Sequence, residues 1–100
     1  MILQKGHKMH DYENYKFYIN GKIIDLTDTE NELIYLFLAN RNRLVTRNMI
    51  CQRLYAENYK EYQKCSISRN IKKLREKFGL HIITMSGRGY CLRDGISERG

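Results

Sequence analysis

Fifteen residues, Lys64 to Phe78, constrain this chain more than any other stretch. Ile67, Ile71, Leu74 and Phe78 recur at i, i+4, i+7 and i+11, the spacing of one face of a helix. At about 100° per residue, Arg69, Lys72, Lys73 and Glu76 fall on the opposite face. Six cations (Lys64, Arg69, Lys72, Lys73, Arg75 and Lys77) stand against one acid, Glu76, and so supply most of the chain's formal charge of +7. The apolar side needs a core to cover it. The cationic side is either a solvated face or a surface for a polyanion, and its shape suits a major groove, where phosphates flank the base edges.

Size limits the alternatives. One hundred residues with 42% hydrophobic side chains make one small domain with a modest core. No run of apolar residues is long enough to span a membrane. The opening Met1-Ile2-Leu3-Gln4-Lys5-Gly6 is too short and polar for a signal peptide. Cys51, Cys65 and Cys91 form no C-x-x-C pair, so neither a zinc knuckle nor a redox pair is expected. Free thiols fit a reducing cytoplasm, the expected location. A pI near 9.5 favours acidic partners. The absence of Trp argues against a membrane-surface helix, so no membrane partner is expected.

Residues 1 to 14 show no clear period and read as a lead-in or linker remnant. His7 and His10 lack a third metal-binding neighbour and read as solvent-exposed, so no metal site is expected. Tyr15–Ile19 and Lys22–Leu26 are β-prone runs around Asn20-Gly21, a strong hairpin signal because both turn residues tolerate positive φ. Thr27-Asp28-Thr29-Glu30 is a capping box opening a helix to about Asn40, which buries Leu33, Ile34, Phe37 and Leu38. Leu44-Val45 is extended, and Thr46 caps a second helix ending at Tyr55. A polar stretch, 56–63, precedes the basic helix, which Gly79 stops. Leu80–Ser86 and Tyr90–Arg93 are β-prone around Gly87-Arg88-Gly89, and the tail 94–100 has no core-forming pattern.

No catalytic residues are expected. The acids are scattered, the histidines lie outside any hydrolase or metalloprotease motif, and no phosphate-binding loop is present, so neither enzyme activity nor a cofactor follows. Two helices joined by a loop and followed by a Gly-Arg-Gly hairpin instead describe a winged helix-turn-helix. Leu26-Thr27-x-x-Glu30, Arg43-Leu44-Val45-Thr46-Arg47, Ile71-Lys72-Lys73-Leu74-Arg75-x-Lys77-Phe78-Gly79 and Gly87-Arg88-Gly89-Tyr90 together resemble the C-terminal effector domain of OmpR/PhoB-type response regulators. The resemblance runs from about Tyr15 to Arg93, with the motifs in the family's order.

That resemblance implies an α+β fold: an N-terminal antiparallel sheet of four strands, three helices and a C-terminal β-hairpin wing, with the domain at 15–93. It implies sequence-specific binding of double-stranded promoter DNA in bacterial transcription regulation. Family positions that read bases fall on Arg69 and Lys73, and those near phosphates on Ser66, Asn70, Lys72, Arg75 and Thr84. The family commonly has Arg before the first wing glycine; here Ser86 stands there and the cation is at Arg88. The minor-groove role is thus expected at Arg88, beside Ser86. The family's polymerase-contacting loop corresponds to the stretch with Glu57, Asn58, Tyr59 and Glu61, which makes RNA polymerase a further partner. A second copy placed head-to-tail on DNA is also implied. The chain is too short for both this module and the receiver domain that usually precedes it, so it is expected to be either an excised effector domain or a regulator with no receiver. A protein-docking winged helix, with the basic helix against an acidic partner, is the competing expectation.

Overall fold

The computed structural model describes residues 2–5, 8–55 and 67–93. Four strands open the chain: β1 (Ile2–Lys5), β2 (Lys8–Asp11), β3 (Lys16–Ile19) and β4 (Lys22–Asp25). They form an antiparallel sheet in chain order. Asn20 and Gly21 take φ of 47° and 87°, as the tight β3–β4 turn requires. Leu3, His10, Phe17 and Ile24 are opposed rung by rung across the sheet.

Residues 1–14 are therefore not a loose lead-in where they are described, because they supply two strands. Their sequence carries no period of its own; β2 is ordered by pairing with β3, and β1 by pairing with β2. His10, expected in solvent, is fully buried. Its Nε2 lies 2.7 Å from the Asn31 Oδ1, while the Asn31 amide nitrogen donates to the Tyr12 carbonyl at 3.0 Å. The Asn31 oxygen is thus the acceptor, and His10 donates from Nε2.

Helix α1 (Asp28–Ala39) begins at the expected capping box, with the Glu30 amide on the Thr27 hydroxyl at 3.2 Å and the Thr27 amide on the Glu30 carboxylate at 3.1 Å. It ends at Asn40, after which Asn42 adopts a positive φ and donates its amide to the Leu92 carbonyl. Strand β5 (Leu44–Thr46) leads directly into α2 (Arg47–Tyr55), where the Met49 amide meets the Thr46 hydroxyl at 3.1 Å. Helix α3 (Ile67–Phe78) is the basic helix; its expected first turn, 64–66, lies outside the described residues. Gly79, at φ 63°, ends it. Strands β6 (Ile82–Met85) and β7 (Gly89–Leu92) form the hairpin, and β5 pairs with β7 to complete a three-stranded sheet in the order β5-β7-β6.

One core joins these elements. Leu33, Ile34 and Phe37 of α1, Ile50 of α2, and Ile67, Ile71, Leu74 and Phe78 of α3 are all buried in it. Phe17 and Phe78 meet edge to face with ring centres 5.1 Å apart, so the N-terminal sheet packs directly on the end of α3. No described helix is long and apolar enough to cross a membrane.

Candidate nucleic-acid interface

The two faces of α3 separate as their sequence demands. Ile67, Ile71, Leu74 and Phe78 are at most 1% exposed. Ser68, Arg69, Lys72, Lys73 and Glu76 are exposed. Arg69, Lys72 and Lys73 make no hydrogen bond or ion pair with another described residue. Arg69 and Lys73 lie one turn apart, about 6 Å along the axis. Asn70 is half-buried at the edge of the core-facing side and already has an interaction within the protein.

Two of the six expected cations are committed inside the domain. The Lys77 ammonium pairs with the Glu30 carboxylate at 3.0 Å and lies 5.3 Å from the centre of the Phe78 ring. This pair ties the end of α3 to the first turn of α1. Burial alone would raise the Glu30 carboxyl pKa, but the Thr27 backbone amide and the Lys77 charge outweigh it and the net shift is downward. Arg75 donates from Nε to the Ile82 carbonyl at 2.8 Å and from Nη2 to the Thr84 hydroxyl at 3.1 Å. Arg75 and Thr84, both expected near phosphates, are thus first of all bonded to each other, and they brace the wing against α3. Sequence spacing does not reveal such a pair, because the two residues lie on separate elements.

The wing tip is closed by the Arg88 amide on the Met85 carbonyl at 2.9 Å, with Ser86, Gly87 and Arg88 all exposed. Gly87 has φ 73° and open space around it. Gly89 differs. At φ 149°, a Cβ there would collide with the Val45 carbonyl oxygen and come within 2.8 Å of the Thr46 Cα. Close approach of β5 therefore accounts for this glycine. Tyr90 is half-buried against the core between its strand partners Val45 and Thr84. The wing's anchor is thus the β5–β7 pairing as well as the Arg75 brace.

Arg47, which sequence reasoning gave no role, begins α2 and lines a groove of about 280 Å³ together with Thr84, Met85, Arg88 and Tyr90. Ser66, Glu57, Asn58, Tyr59 and Glu61 lie outside the described residues. No group of three or more potential metal ligands occurs among the described residues.

Residues 21–92 match the family described as "Transcriptional regulatory protein, C terminal". The chain belongs to this family. It is an OmpR/PhoB-type effector domain of the response-regulator class, a family of DNA-binding transcription regulators and not a class of enzymes. The effector domain is 32% identical over 93 residues to the transcriptional regulatory protein QseB of Haemophilus influenzae, covering 92% of this chain and 41% of that protein. It therefore spans about two-fifths of the length of that relative. The C-terminal effector domain of BfmR from Acinetobacter baumannii superposes with a TM-score of 0.76 at 25% identity, covering 98% of this chain and 94% of that one. The DNA-binding domain of Klebsiella pneumoniae RstA, solved in complex with the RstA box, has a TM-score of 0.74 at 15% identity, covering 93% of this chain and 97% of that one, and bears on the fold alone.

Proposed function

We propose that this effector domain reads double-stranded promoter DNA, with α3 in the major groove and the wing at the neighbouring minor groove. The observation that carries this is the row of exposed cations Arg69, Lys72 and Lys73, none with a partner among the described residues, on a helix braced to the wing by Arg75. Arg69 and Lys73 reach base edges; Lys72, Asn70 and Ser66 lie toward the backbone. Arg75 and Thr84 hold the wing and leave their remaining bonding capacity for a phosphate, because a guanidinium carries five N–H donors and two are engaged with the described residues Ile82 and Thr84. Arg88, beside Ser86, enters the minor groove. Transcription regulation by this route takes place in the cytoplasm, with a second copy head-to-tail on the DNA and RNA polymerase met through Glu57, Asn58, Tyr59 and Glu61.

The test is duplex binding across ionic strengths with competitor DNA. Affinity falls steeply with salt as neutralised phosphates release counterions. Arg69→Ala removes roughly 1–3 kcal/mol of discrimination at one base pair, while Lys72→Ala weakens all sequences alike. An affinity that is flat with salt and equal for every duplex points instead to docking on an acidic protein.

A further inference from the structure

The lone acid on the cationic face of α3, Glu76, has no bonding partner among the described residues. The buried positions of α3 centre its apolar side between Ile71 and Leu74; the line opposite runs through Arg69 and Glu76, with Lys72 and Lys73 on either flank. Glu76 is exposed and makes no hydrogen bond or ion pair with another described residue, although Lys72 and Lys73 stand four and three positions before it. That order, lysine N-terminal to glutamate, is the weaker orientation for a helical pair. A carboxylate in the last turn also faces the negative end of the helix dipole. On a helix that approaches phosphates, an acid at the centre of the contact line weakens the general attraction. Its chemistry is nevertheless selective: an ionised carboxylate only accepts hydrogen bonds. In the major groove cytosine offers an N4 donor, whereas guanine N7 and O6 and thymine O4 are acceptors that a carboxylate repels.

We propose that Glu76 is a specificity-determining residue that selects cytosine and rejects guanine and thymine in the major groove. This rests on the DNA-binding function proposed above. Glu76 follows Arg69 by two turns, about 10 Å along the helix, which corresponds to about three base pairs at roughly 3.4 Å each. Rejection contributes as much to the choice as attraction, since the wrong base leaves a desolvated carboxylate facing a lone pair.

The experiment selects bound sites from random duplex DNA with the parent domain, Arg69→Ala, Glu76→Ala and Glu76→Gln, after circular dichroism has established that each variant melts like the parent. The parent sites carry cytosine about three pairs from the position that Arg69→Ala relaxes. Glu76→Ala loses roughly five- to hundredfold of discrimination at that cytosine alone, while its affinity for unrelated duplex rises because a negative charge has gone. Glu76→Gln, which has a donor as well as an acceptor, shifts the choice toward adenine. If Glu76→Ala raises affinity for all duplexes equally and leaves the selected site unchanged, Glu76 lies outside the groove and the assignment is overturned while DNA reading stands. If the parent itself selects no sequence and its binding ignores salt, both proposals fall together.

Discussion

Replacing Gly89 by Ala separates two accounts of the wing glycines. If the glycine exists to let DNA approach, the variant folds normally and binds duplex poorly. The geometry favours the other account. The added Cβ meets the Val45 carbonyl oxygen and the Thr46 Cα, both backbone atoms of a strand held in register with β7. They can yield only by opening the β5–β7 pair. An L-residue held at φ 149° costs about 1–3 kcal/mol, and overpacking a well-fitted site adds about 1–3 kcal/mol. About 3 kcal/mol is a large share of the roughly 5–15 kcal/mol that stabilises a domain, and it lowers Tm by about 12 °C or more at this size. Gly87→Asn is the control: nothing lies within 4 Å of its Cβ position, and this chain already places Asn20 and Asn42 at φ of 47° and 61°. That variant loses less than about 1 kcal/mol. Urea titration followed by circular dichroism, with thermal melts in parallel, measures both. A Gly89→Ala domain as stable as Gly87→Asn refutes the reasoning, and one that keeps its Tm but loses DNA affinity restores the DNA-approach account.

Arg75→Lys keeps the charge but cannot reproduce the two-point bond to Ile82 and Thr84; amide exchange in β6 should quicken while stability falls by only about 1 kcal/mol, and unchanged exchange contradicts the brace. Acid should destabilise the domain in two windows. Burial lowers the His10 pKa from 6.5, so the unfolded chain binds the proton first; stability is complete above pH 6.5 and declines below it, with a slope of at most about 1.4 kcal/mol per pH unit. His10→Gln should flatten that decline, and a parent curve level from pH 7 to 5 would contradict it. The Glu30 carboxyl, lowered from 4.5 on balance, holds its contribution above pH 4.5 and loses it below; a Lys77→Met variant should lose less stability than the parent on passing below pH 4.5. Arg88→Ala should leave Tm unchanged and weaken binding most on A·T-rich flanks, whose narrow minor groove concentrates negative potential; equal loss on G·C-rich flanks would place Arg88 outside that groove.

The buried histidine is a reminder of what a lone side chain conceals. His10 Nδ1 has no hydrogen-bond partner among the described residues, so protonation there would place a charged donor in a site enclosed by Phe17 and Tyr12. Asp11 on its own strand and Glu32 on α1 favour the proton, but burial is the larger effect. Nothing near His10 in the chain announces this, because Asn31, which fixes its tautomer, is 21 residues away.

What the sequence determined by itself is local. The Thr27–Glu30 box, the Asn20-Gly21 turn, the Thr46 cap and the stop at Gly79 each depend on partners within a few residues, so residue type and spacing suffice to write them. The two faces of α3 are equally legible, since a single helix period sorts its apolar and cationic residues. Tertiary structure alone decided the rest. Strands β1 and β2 exist because an antiparallel neighbour supplies their hydrogen bonds and the core covers His10. Lys77 became part of the frame by meeting Glu30 across 47 residues, and Arg75 by reaching a strand that folds back beside it. Gly89 shows the division most clearly: the sequence marks a flexible tip, and only the approach of β5 reveals that the missing Cβ is required by packing. Contacts of this kind are set by which surfaces the chain brings together, and no local pattern of residues records them.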